Sequence, residues 1–424
     1  MTEKSIVSIA KGFDARQAVR QAIENLGGIR RFVKPDTVVV IKPNAGHEGP
    51  PESAINTSPE IVGAVIREVR QAGPRKIILA ESSAIGCDTM ACLKSSGIKK
   101  AAEEAGVDEI RDIKTEKDLV KKEIEHPTSS ITSVELPRFL LEADHMINVP
   151  IFKSHVSMVF SCALKNLKGV VQDIHHFVMH TTNLAAAMMD LGAVFKPDLT
   201  VADMIRPMEG FGPHSGTPVD FGVVLAGVDM VAVDATACRL AGLDVGKVDY
   251  FRAAGEKGLG VFDADRIEIR GGCIEEMQKP LYLPYLQGFN AWPEYHFHVN
   301  MACSTCQGLA AFTMERLKAL GEYEKNQGLH IVLGRHAKIP PGVAFGDRLI
   351  LHGDCTLGLK KKIEKAGGTC LHVAGCPPLE SFPVWTIMDR QEQPSERASR
   401  ERHVAEDAIF REWLKARHRN EWAL

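Results

Sequence analysis

Apolar runs that suit buried strands alternate with helical patterns along the first part of the chain. The runs are rich in Val, Ile and Leu and are bounded by Gly, Pro or polar residues. Between two of them, Ile61, Val65 and Val69 have helical spacing after Ser58-Pro59, which is a typical helix start. The strand-like runs are residues 37–41, 76–80, 199–203 and 221–226. Strands that are apolar throughout and alternate with helices predict an α/β fold with a mostly parallel sheet flanked by helices.

The same rhythm resumes after an interruption at residues 280–300, which are rich in proline and aromatic residues. Later runs predict strands at 331–333, 348–351 and 371–373 and a short helix at 360–365. Near the end, Val404, Ile409 and Phe410 have amphipathic spacing in a charged segment, which indicates a helix packed on the body or on a second subunit. We therefore predict an α/β domain over 1–280, a smaller cysteine-bearing α/β domain over 281–390 and a charged helical tail over 391–424.

Composition narrows the class of protein. The 424 residues are 45% hydrophobic and 25% charged, and the formal net charge is −3. Such a chain has ample core and no global field that would attract nucleic acid or an anionic membrane. No apolar run approaches the ~18 residues of a bilayer span, and the N-terminus lacks the apolar core of a signal peptide. We expect a cytoplasmic protein without nucleic-acid or membrane partners, and homo-oligomerisation stays open.

Lysines cluster in an unusual place, directly after the strand-like residues 146–150. They occur in Lys153-Ser154-His155 and in Lys165-Asn166-Leu167-Lys168, which are separated by an apolar interval. Lysines are usually solvated, so ammonium groups at the mouth of a core call for an anionic partner. We therefore predict an anionic small molecule as substrate or cofactor, with catalytic roles for Lys153, His155, Lys165 and Lys168.

Further polar residues follow other predicted strands. In a parallel sheet, ligands bind outside the carboxyl ends of the strands. Lys42 and Asn44 follow the first strand, where Pro43 is expected to end the pairing, and Glu81 and Ser82 follow the second. A glycine-rich loop at 209–216 would let backbone amides approach a ligand. The predicted binding residues are Lys42, Asn44, Asn166, Glu209, Gly210 and Gly212.

Four other polar residues have structural as well as functional interpretations. His176 and His180 share one helical face and have a spacing that can hold a metal, although no further ligand is nearby in the sequence. Asp229 is interpreted as the cap of the following helix. Asp234 is either a buried acid that faces the lysines or an exposed one.

The ten cysteines are unevenly distributed, with five of them between Cys303 and Cys376. Disulfides are rare in the cytoplasm, so a different role is expected. Cys303 and Cys306 form a CxxC motif, and Cys355 and Cys376 each follow a predicted strand at the same sheet edge. Four thiolates suit a 4Fe–4S cluster or zinc, and buried or redox cysteines are the remaining interpretation. The other cysteines, including Cys370 on a predicted strand, are interpreted as small core residues.

From about Val38 to Gly260 the chain resembles the family catalogued as domain of unknown function 362. The matching motifs are Lys42-Pro43-Asn44, Asn148-Val149-Pro150 with Lys153-Ser154-His155, Leu164-Lys165-Asn166-Leu167-Lys168-Gly169, Val201-Ala202-Asp203, Glu209-Gly210-Phe211-Gly212-Pro213 and Asp229 to Asp234. The family has no assigned reaction. Many members carry a ferredoxin-like cysteine module, whereas this chain has no C-x-x-C-x-x-C run.

A more distant likeness concerns three residues. His155, Lys165 and His180 are similar to the His…Lys…His arrangement of lactate racemase, in which the lysine holds a nickel-pincer nucleotide. The glycine-rich and proline motifs that flank these residues in that enzyme do not match here.

Three functional hypotheses follow. The first is an iron–sulfur oxidoreductase that holds an anionic small molecule or cofactor in a Lys/His pocket, with His155 or a lysine as general acid. The second is a non-redox isomerase or lyase in which the cysteines are only structural. In one form of this hypothesis the reaction depends on a metal or on a nickel-pincer nucleotide. The third is an electron-transfer or metal-delivery protein without catalysis of its own. The first and third hypotheses both imply a redox partner protein.

Overall fold

The apolar runs of the first part of the chain become strands of one large mixed sheet in the computed structural model. The structure describes residues 4–155, 158–181, 183–376, 378, 382–392, 402, 404–410 and 412–413. The chain divides into two units, Met1–Leu283 and Pro284–Leu424.

The strands of the first unit are β1 (Ser5–Lys11), β2 (Val38–Pro43), β3 (Lys76–Glu81), β4 (Glu109–Asp112), β5 (Leu119–Glu123), β6 (Ser133–Pro137), β7 (His145–Val149), β8 (Ile151–His155), β9 (Val159–Ser161), β10 (Leu199–Phe211), β11 (Ser215–Pro218), β12 (Val223–Gly227) and β13 (Ile267–Arg270). Its helices are α1 (Ala15–Glu24), α2 (Pro59–Gln71), α3 (Thr89–Ser95), α4 (Ile98–Glu104), α5 (Arg138–Glu142), α6 (Ala163–Asn166), α7 (Asp173–Thr181), α8 (Leu184–Val194), α9 (Met230–Leu240), α10 (Asp249–Glu256) and α11 (Ile274–Met277).

The main sheet has the order β13-β1-β12-β10-β7-β2-β3-β4. The five strands from β10 to β4 are parallel, whereas β12 runs antiparallel to both β1 and β10. Beyond β7, the chain continues as β8, which pairs with the outer part of β10, and β9 and β11 extend this edge. The predicted fold class, a mostly parallel sheet flanked by helices, is confirmed.

Two local predictions are corrected. Pro43 does not end the pairing, because β2 includes it and places it opposite Val149 of β7. The expected glycine-rich loop is largely strand: Glu209 and Gly210 belong to β10 and pair with β11. Gly210 has a φ of +78°, a backbone conformation that glycine adopts at little cost.

Helix α2 shows how burial stabilises the frame around the site. Its apolar positions Ile61, Val65 and Val69 are fully buried, as the spacing predicted. Each such side chain contributes roughly 1.5–3 kcal/mol when it leaves water. Helices α1 and α2 therefore cover one face of the sheet and fix the strands that carry the site.

The second unit contains a parallel sheet in the order β14 (His296–Val299), β15 (His330–Leu333), β16 (Gly346–His352) and β17 (Cys370–Val373). Its helices are α12 (Ser304–Ala319), α13 (Leu357–Lys365) and α14 (Phe382–Asp389). The helical residues 404–410 pack on this unit, since the Trp385 indole donates to Glu406 at 2.9 Å and the Phe410 ring lies 5.2 Å from that of Phe312. Among the described residues, no helix combines the length and the apolar character that a bilayer crossing requires.

Candidate functional site

The lysine-rich stretch lies at the carboxyl ends of neighbouring parallel strands. Lys42 of β2 is in register with Asn148 of β7, and Glu81 ends β3 on the other side of β2. Strand β8 then carries Lys153 and His155 beyond this edge, with all five of its residues buried. The short helix α6 and the turn after it add Lys165, Asn166 and Lys168.

An ion pair forms the floor of the site. Lys42 and Glu81 are each 1% exposed, and Lys42 Nζ lies 3.1 Å from Glu81 Oε2. The same ammonium group donates to the Pro43 carbonyl at 2.9 Å and to Asn166 Oδ1 at 3.1 Å, so all three of its N–H groups are used. Burial lowers the pKa of Lys42 and raises the pKa of Glu81, and the ion pair opposes both shifts. Lys42 therefore has a structural role: it joins β2 to Glu81 of β3 and to Asn166 at the end of α6, and these bonded residues form the frame of the site.

Two asparagines connect this floor to Lys153. Asn166 Oδ1 accepts from Lys42 and also from Asn44 Nδ2 at 3.1 Å, while Asn166 Nδ2 donates to Asn148 Oδ1 at 2.8 Å. These bonds fix the orientation of the Asn44 amide, whose Oδ1 accepts from Lys153 Nζ at 2.8 Å. A continuous chain of hydrogen bonds therefore runs from the buried ion pair to Lys153.

The three remaining lysines differ in how many N–H groups they still have for a ligand. Lys153 uses two, for Asn44 and for the Ile55 carbonyl at 2.6 Å. Lys168 Nζ lies 2.5 Å from His180 Nε2. Lys165 is half-buried, and its ammonium group makes no hydrogen bond or ion pair in the part of the chain that the structure describes. Lys165 is therefore the group best placed to bind a ligand.

Burial and mutual repulsion bring these amines towards neutrality. Desolvation, followed by the nearby Lys165, lowers the pKa of Lys153 to about 7. Desolvation and the Lys42 charge lower the pKa of Lys165 to about 8, and burial lowers the pKa of Lys168 well below its usual range. Near pH 7, Lys153 and Lys165 therefore exchange protons readily, and a general acid or base is most effective when its pKa lies near the working pH.

Imidazole groups surround the lysines. Burial lowers the pKa of His155 and His180, and the adjacent lysines lower it further, to about 2 for His180. His47, in the loop after β2, has its pKa lowered to about 3 by burial and then by Lys153. Its Nδ1 lies 3.6 Å from the Cys87 sulfur. These imidazoles are therefore neutral at pH 7.

His47 was missed from the sequence, because only residues up to Asn44 were singled out in that loop. The available signal was position: His47 follows the end of β2 by four residues and so belongs to the same sheet edge. Glu81 was noted at the end of β3, but its pairing with Lys42 was not.

Asp234 explains where α6 starts. Its buried carboxylate accepts from the backbone amides of Ala163 at 2.6 Å and Leu164 at 3.1 Å, and from the Tyr250 hydroxyl at 3.0 Å. Asp234 is therefore buried rather than exposed, but it binds the backbone of α6 and the Tyr250 hydroxyl rather than a lysine. Asp229 caps α9, as predicted, by accepting from two amides in its first turn.

Gly169 lets the chain pass directly over the buried ion pair. Its carbonyl accepts from the Ser82 amide at 3.0 Å. A methyl group on Gly169 would lie 1.9 Å from Glu81 Oε1 and 2.7 Å from Lys42 Nζ. Only glycine fits there without displacing the pair.

The predicted binding residues of β10 fasten neighbouring segments. Glu209 Oε2 accepts from the Tyr282 amide at 2.7 Å, and the Gly210 amide donates to the Tyr282 carbonyl at 2.7 Å. The Gly212 amide donates to Ser154 Oγ at 2.9 Å, which ties the hairpin to β8. A contact of these three residues with a ligand stays a prediction.

The two histidines of α7 bind Lys168. His176 Nε2 lies 2.7 Å from the Lys168 carbonyl, and His180 Nε2 contacts its ammonium group. Among the described residues, no group of three or more His, Cys, Asp or Glu side chains is arranged to hold one metal ion. His176 and His180 therefore do not form such a group with a third side chain of these types in that part of the chain.

Four cysteines that the sequence singled out come together in the second unit. Cys303 precedes α12, Cys306 lies in its first turn, and Cys355 and Cys376 follow β16 and β17. Cys306 donates to the Cys303 sulfur and is within electrostatic range of Cys355 and Cys376. A methyl group on Gly353 would lie 3.5 Å from the Cys306 sulfur and 3.8 Å from the Cys355 sulfur.

The thiols are not equivalent. The Cys306 thiol and three backbone amides donate to the Cys303 sulfur, which lowers the pKa of Cys303 to about 6. The four thiols are not spaced around a single ion. A zinc ion would require four sulfurs about 3.8 Å apart, because it binds each thiolate at about 2.3 Å. A cluster of four irons would require the four sulfurs to lie further apart.

The comparisons with known proteins agree with the motifs in the first unit. Residues 39–239 match the family model described as "Domain of unknown function (DUF362)". The expected resemblance is thereby confirmed. The chain is also 27% identical over 250 residues to the "Thylakoid-associated protein sll1697" of Synechocystis sp., a match that covers 57% of this chain and 74% of that protein.

Two solved structures are similar at a low level. One is the lactate racemase apoprotein from Thermoanaerobacterium thermosaccharolyticum, with 14% identity and a TM-score of 0.38, over 57% of this chain and 58% of that chain. The other is a protein from Thermotoga maritima, with 11% identity and a TM-score of 0.35, over 93% of this chain and 95% of that chain.

Proposed function

We propose that the first unit binds an anionic small molecule in its Lys/His cluster and transfers protons on it, as an isomerase or lyase does. The observation that carries the proposal concerns the Lys165 ammonium group. It lies among other cations, and among the described residues it has no hydrogen-bond or ion-pair partner of its own. The nearby carboxylate of Glu81 is bound by Lys42.

An anion would relieve the repulsion between these cations. Lys153 retains one N–H group and Lys165 retains three, and hydrogen bonds to charged groups contribute about 1.5–3 kcal/mol each. A carboxylate or phosphate accepts several such bonds at once. The buried chain from Glu81 to Lys153 would hold the donors in place before the ligand arrives.

The lysine amines supply the proton-transfer chemistry. The pKa of Lys153 is lowered to about 7 and that of Lys165 to about 8, so both amines can give up and take back a proton near pH 7. A bound anion would thus meet protonated and unprotonated amines in one site. This combination allows a proton to leave one atom of the substrate and return at another.

Anion binding and proton exchange are tested separately. Titration calorimetry with phosphate, citrate, lactate and pyruvate should detect binding that is at least tenfold weaker in Lys165→Gln than in the wild type. Lys122→Gln, an exposed control on β5, should bind as the wild type does. In D2O, the enzyme should exchange carbon-bound protons of a bound hydroxy or oxo acid. Binding that is absent, or equal in the wild type and Lys165→Gln, would refute the proposal.

A second candidate function rests on a separate observation, the convergence of four cysteine thiols in the second unit. We propose a 4Fe–4S cluster bound by Cys303, Cys306, Cys355 and Cys376, which would add electron transfer. Protein purified without oxygen should contain iron and sulfide, and Cys355→Ser should lose them. Cys370→Ser, a control on β17, should keep them. Colourless protein with stoichiometric zinc would show a zinc site instead.

The two tests together also address the third hypothesis. A cluster in a protein that binds none of the anions would favour electron transfer or metal delivery without catalysis. Anion binding without iron would leave an isomerase or lyase with structural cysteines.

A further inference from the structure

Lys165 has the properties of a nucleophilic amine as well as those of an anion-binding cation. An amine attacks a carbonyl carbon only when it is unprotonated, and a neighbouring cation promotes this form. Lys42, Lys153 and Lys168 all lie within electrostatic range of Lys165. Of these, Lys153 and Lys168 would hold a carboxylate beside the amine.

The other lysines are less suited to attack. Lys42 Nζ is bound by three acceptors, and Lys153 Nζ is bound by Asn44 and Ile55. Lys168 Nζ is held by the His180 ring. Lys42 has no lone pair to offer, because its three N–H groups are all donated, and the two acceptors of Lys153 fix the direction of any lone pair on that nitrogen. Lys165 has no such restraint among the described residues, and it is half-buried rather than sealed in the core.

From this geometry we infer that Lys165 forms a Schiff base with the carbonyl group of an oxo acid. The inference rests on the proposed function and names the substrate class of the same site. The carboxylate of the oxo acid would be bound by Lys153 and Lys168, and its carbonyl carbon would face Lys165. The neutral imidazoles of His155 and His180 lie within electrostatic range of the same amine.

The covalent step balances without another reactant. The unprotonated Lys165 nitrogen forms a bond to the carbonyl carbon, and the carbonyl electron pair moves to oxygen. The oxygen takes up the proton that the new C–N nitrogen loses, which gives a neutral carbinolamine. The carbon–oxygen bond then breaks as water leaves, with a proton from a neighbouring ammonium group. The protonated imine that results withdraws electrons, so an adjacent C–H or C–C bond can break. Hydrolysis reverses the sequence and releases the amine.

Reductive trapping tests the inference. The full-length protein is incubated with pyruvate, 2-oxoglutarate or acetoacetate and treated with sodium cyanoborohydride, and its peptides are analysed by mass spectrometry. We expect a reduced adduct on Lys165 with at least one probe, at an occupancy at least tenfold above that of the exposed Lys122. Lys165→Arg, which keeps the charge, should lose this adduct and retain oxo-acid binding by calorimetry.

The outcomes separate the two proposals. Binding of the oxo acids without preferential labelling of Lys165 would overturn the Schiff base and leave anion binding intact. Failure of every probe anion to bind would overturn both. Preferential labelling of Lys153 or Lys168 would also overturn the assignment. Because the labelling is read in the wild-type protein, the test stands even if Lys165→Arg fails to fold.

Discussion

Replacing Glu81 with Gln should lower the free energy of unfolding by about 3–5 kcal/mol, because it leaves the buried Lys42 charge without its partner. Lys42 is 1% exposed and cannot reach water, and only neutral acceptors, Pro43 O and Asn166 Oδ1, would remain. A typical domain has only about 5–15 kcal/mol of total stability. The variant should therefore be severely destabilised.

Lys42→Met should be less damaging than Glu81→Gln. The Glu81 carboxyl group would still accept from the Ala45 amide at 3.0 Å and the Ser82 amide at 2.8 Å. Burial also raises the pKa of Glu81, so the carboxyl group can take up a proton when Lys42 is absent. The double variant removes both charges and should be more stable than Glu81→Gln alone, which gives a positive coupling in the double-mutant cycle.

The assay must report on the first unit. All four tryptophans lie beyond residue 291, so tryptophan fluorescence follows the second unit. Hydrogen exchange of β2 and β3 peptides across a urea series measures the correct part of the chain. Glu123→Gln is the matched control: it breaks the Lys121–Glu123 pair, which is more than 60% exposed on both sides, and should change nothing measurable. A cost below about 1 kcal/mol for Glu81→Gln would refute the internal ion pair.

Two further predictions concern the same site. Gly169→Ala should destabilise β2 and β3 by about 1–3 kcal/mol or more, because the added methyl group overpacks against the ion pair. Gly46→Ala is the control and should not destabilise them, because a methyl group there meets no atom within 4 Å. Equal hydrogen-exchange rates in the two variants would contradict this prediction. The pKa of Lys153 and Lys165 falls from 10.5 to about 7 and about 8 on folding, so the unfolded chain binds more protons between pH 7 and pH 10. The stability of the ligand-free protein, measured by thermal unfolding, should therefore rise with pH across this window. The affinity for phosphate, measured by calorimetry, should fall over the same range. A phosphate affinity that does not change from pH 6 to pH 9 would count against binding of phosphate by the lysines.

The apolar runs predicted the strands well where the strands are apolar throughout. β2, β3 and β15 to β17 were recognised because strands buried on both faces are continuous runs of Val, Ile and Leu. β8 was not, since its Lys153, Ser154 and His155 read as a polar segment after a strand. β14 was hidden in the same way by two histidines in a region interpreted as a junction. Polar residues inside a sheet conceal a strand whenever their partners come from distant parts of the chain.

The lysine cluster was predictable as a group, but the roles of its members were not. Lys42 is paired with a residue 39 positions away, and Lys153 is bound by Asn44, which is 109 positions away. Neither partner follows from local pattern, because the sheet order that joins β2, β3 and β7 is a property of the whole unit. The sequence likewise shows which cysteines follow a strand, whereas their convergence depends on the register of β16 and β17.

The four lysines of the cluster differ in their number of internal acceptors. Lys42 has three, Lys153 has two, Lys168 has one and Lys165 has none among the described residues. A buried cation without acceptors is unfavourable, so the fold tolerates Lys165 only where solvent or a ligand can reach it. On the proposed function, an anion bound by Lys165 would break none of the hydrogen bonds that hold the other lysines. Because those bonds are complete before binding, most of the interaction energy of Lys165 would then be available for affinity and for chemistry on the bound molecule.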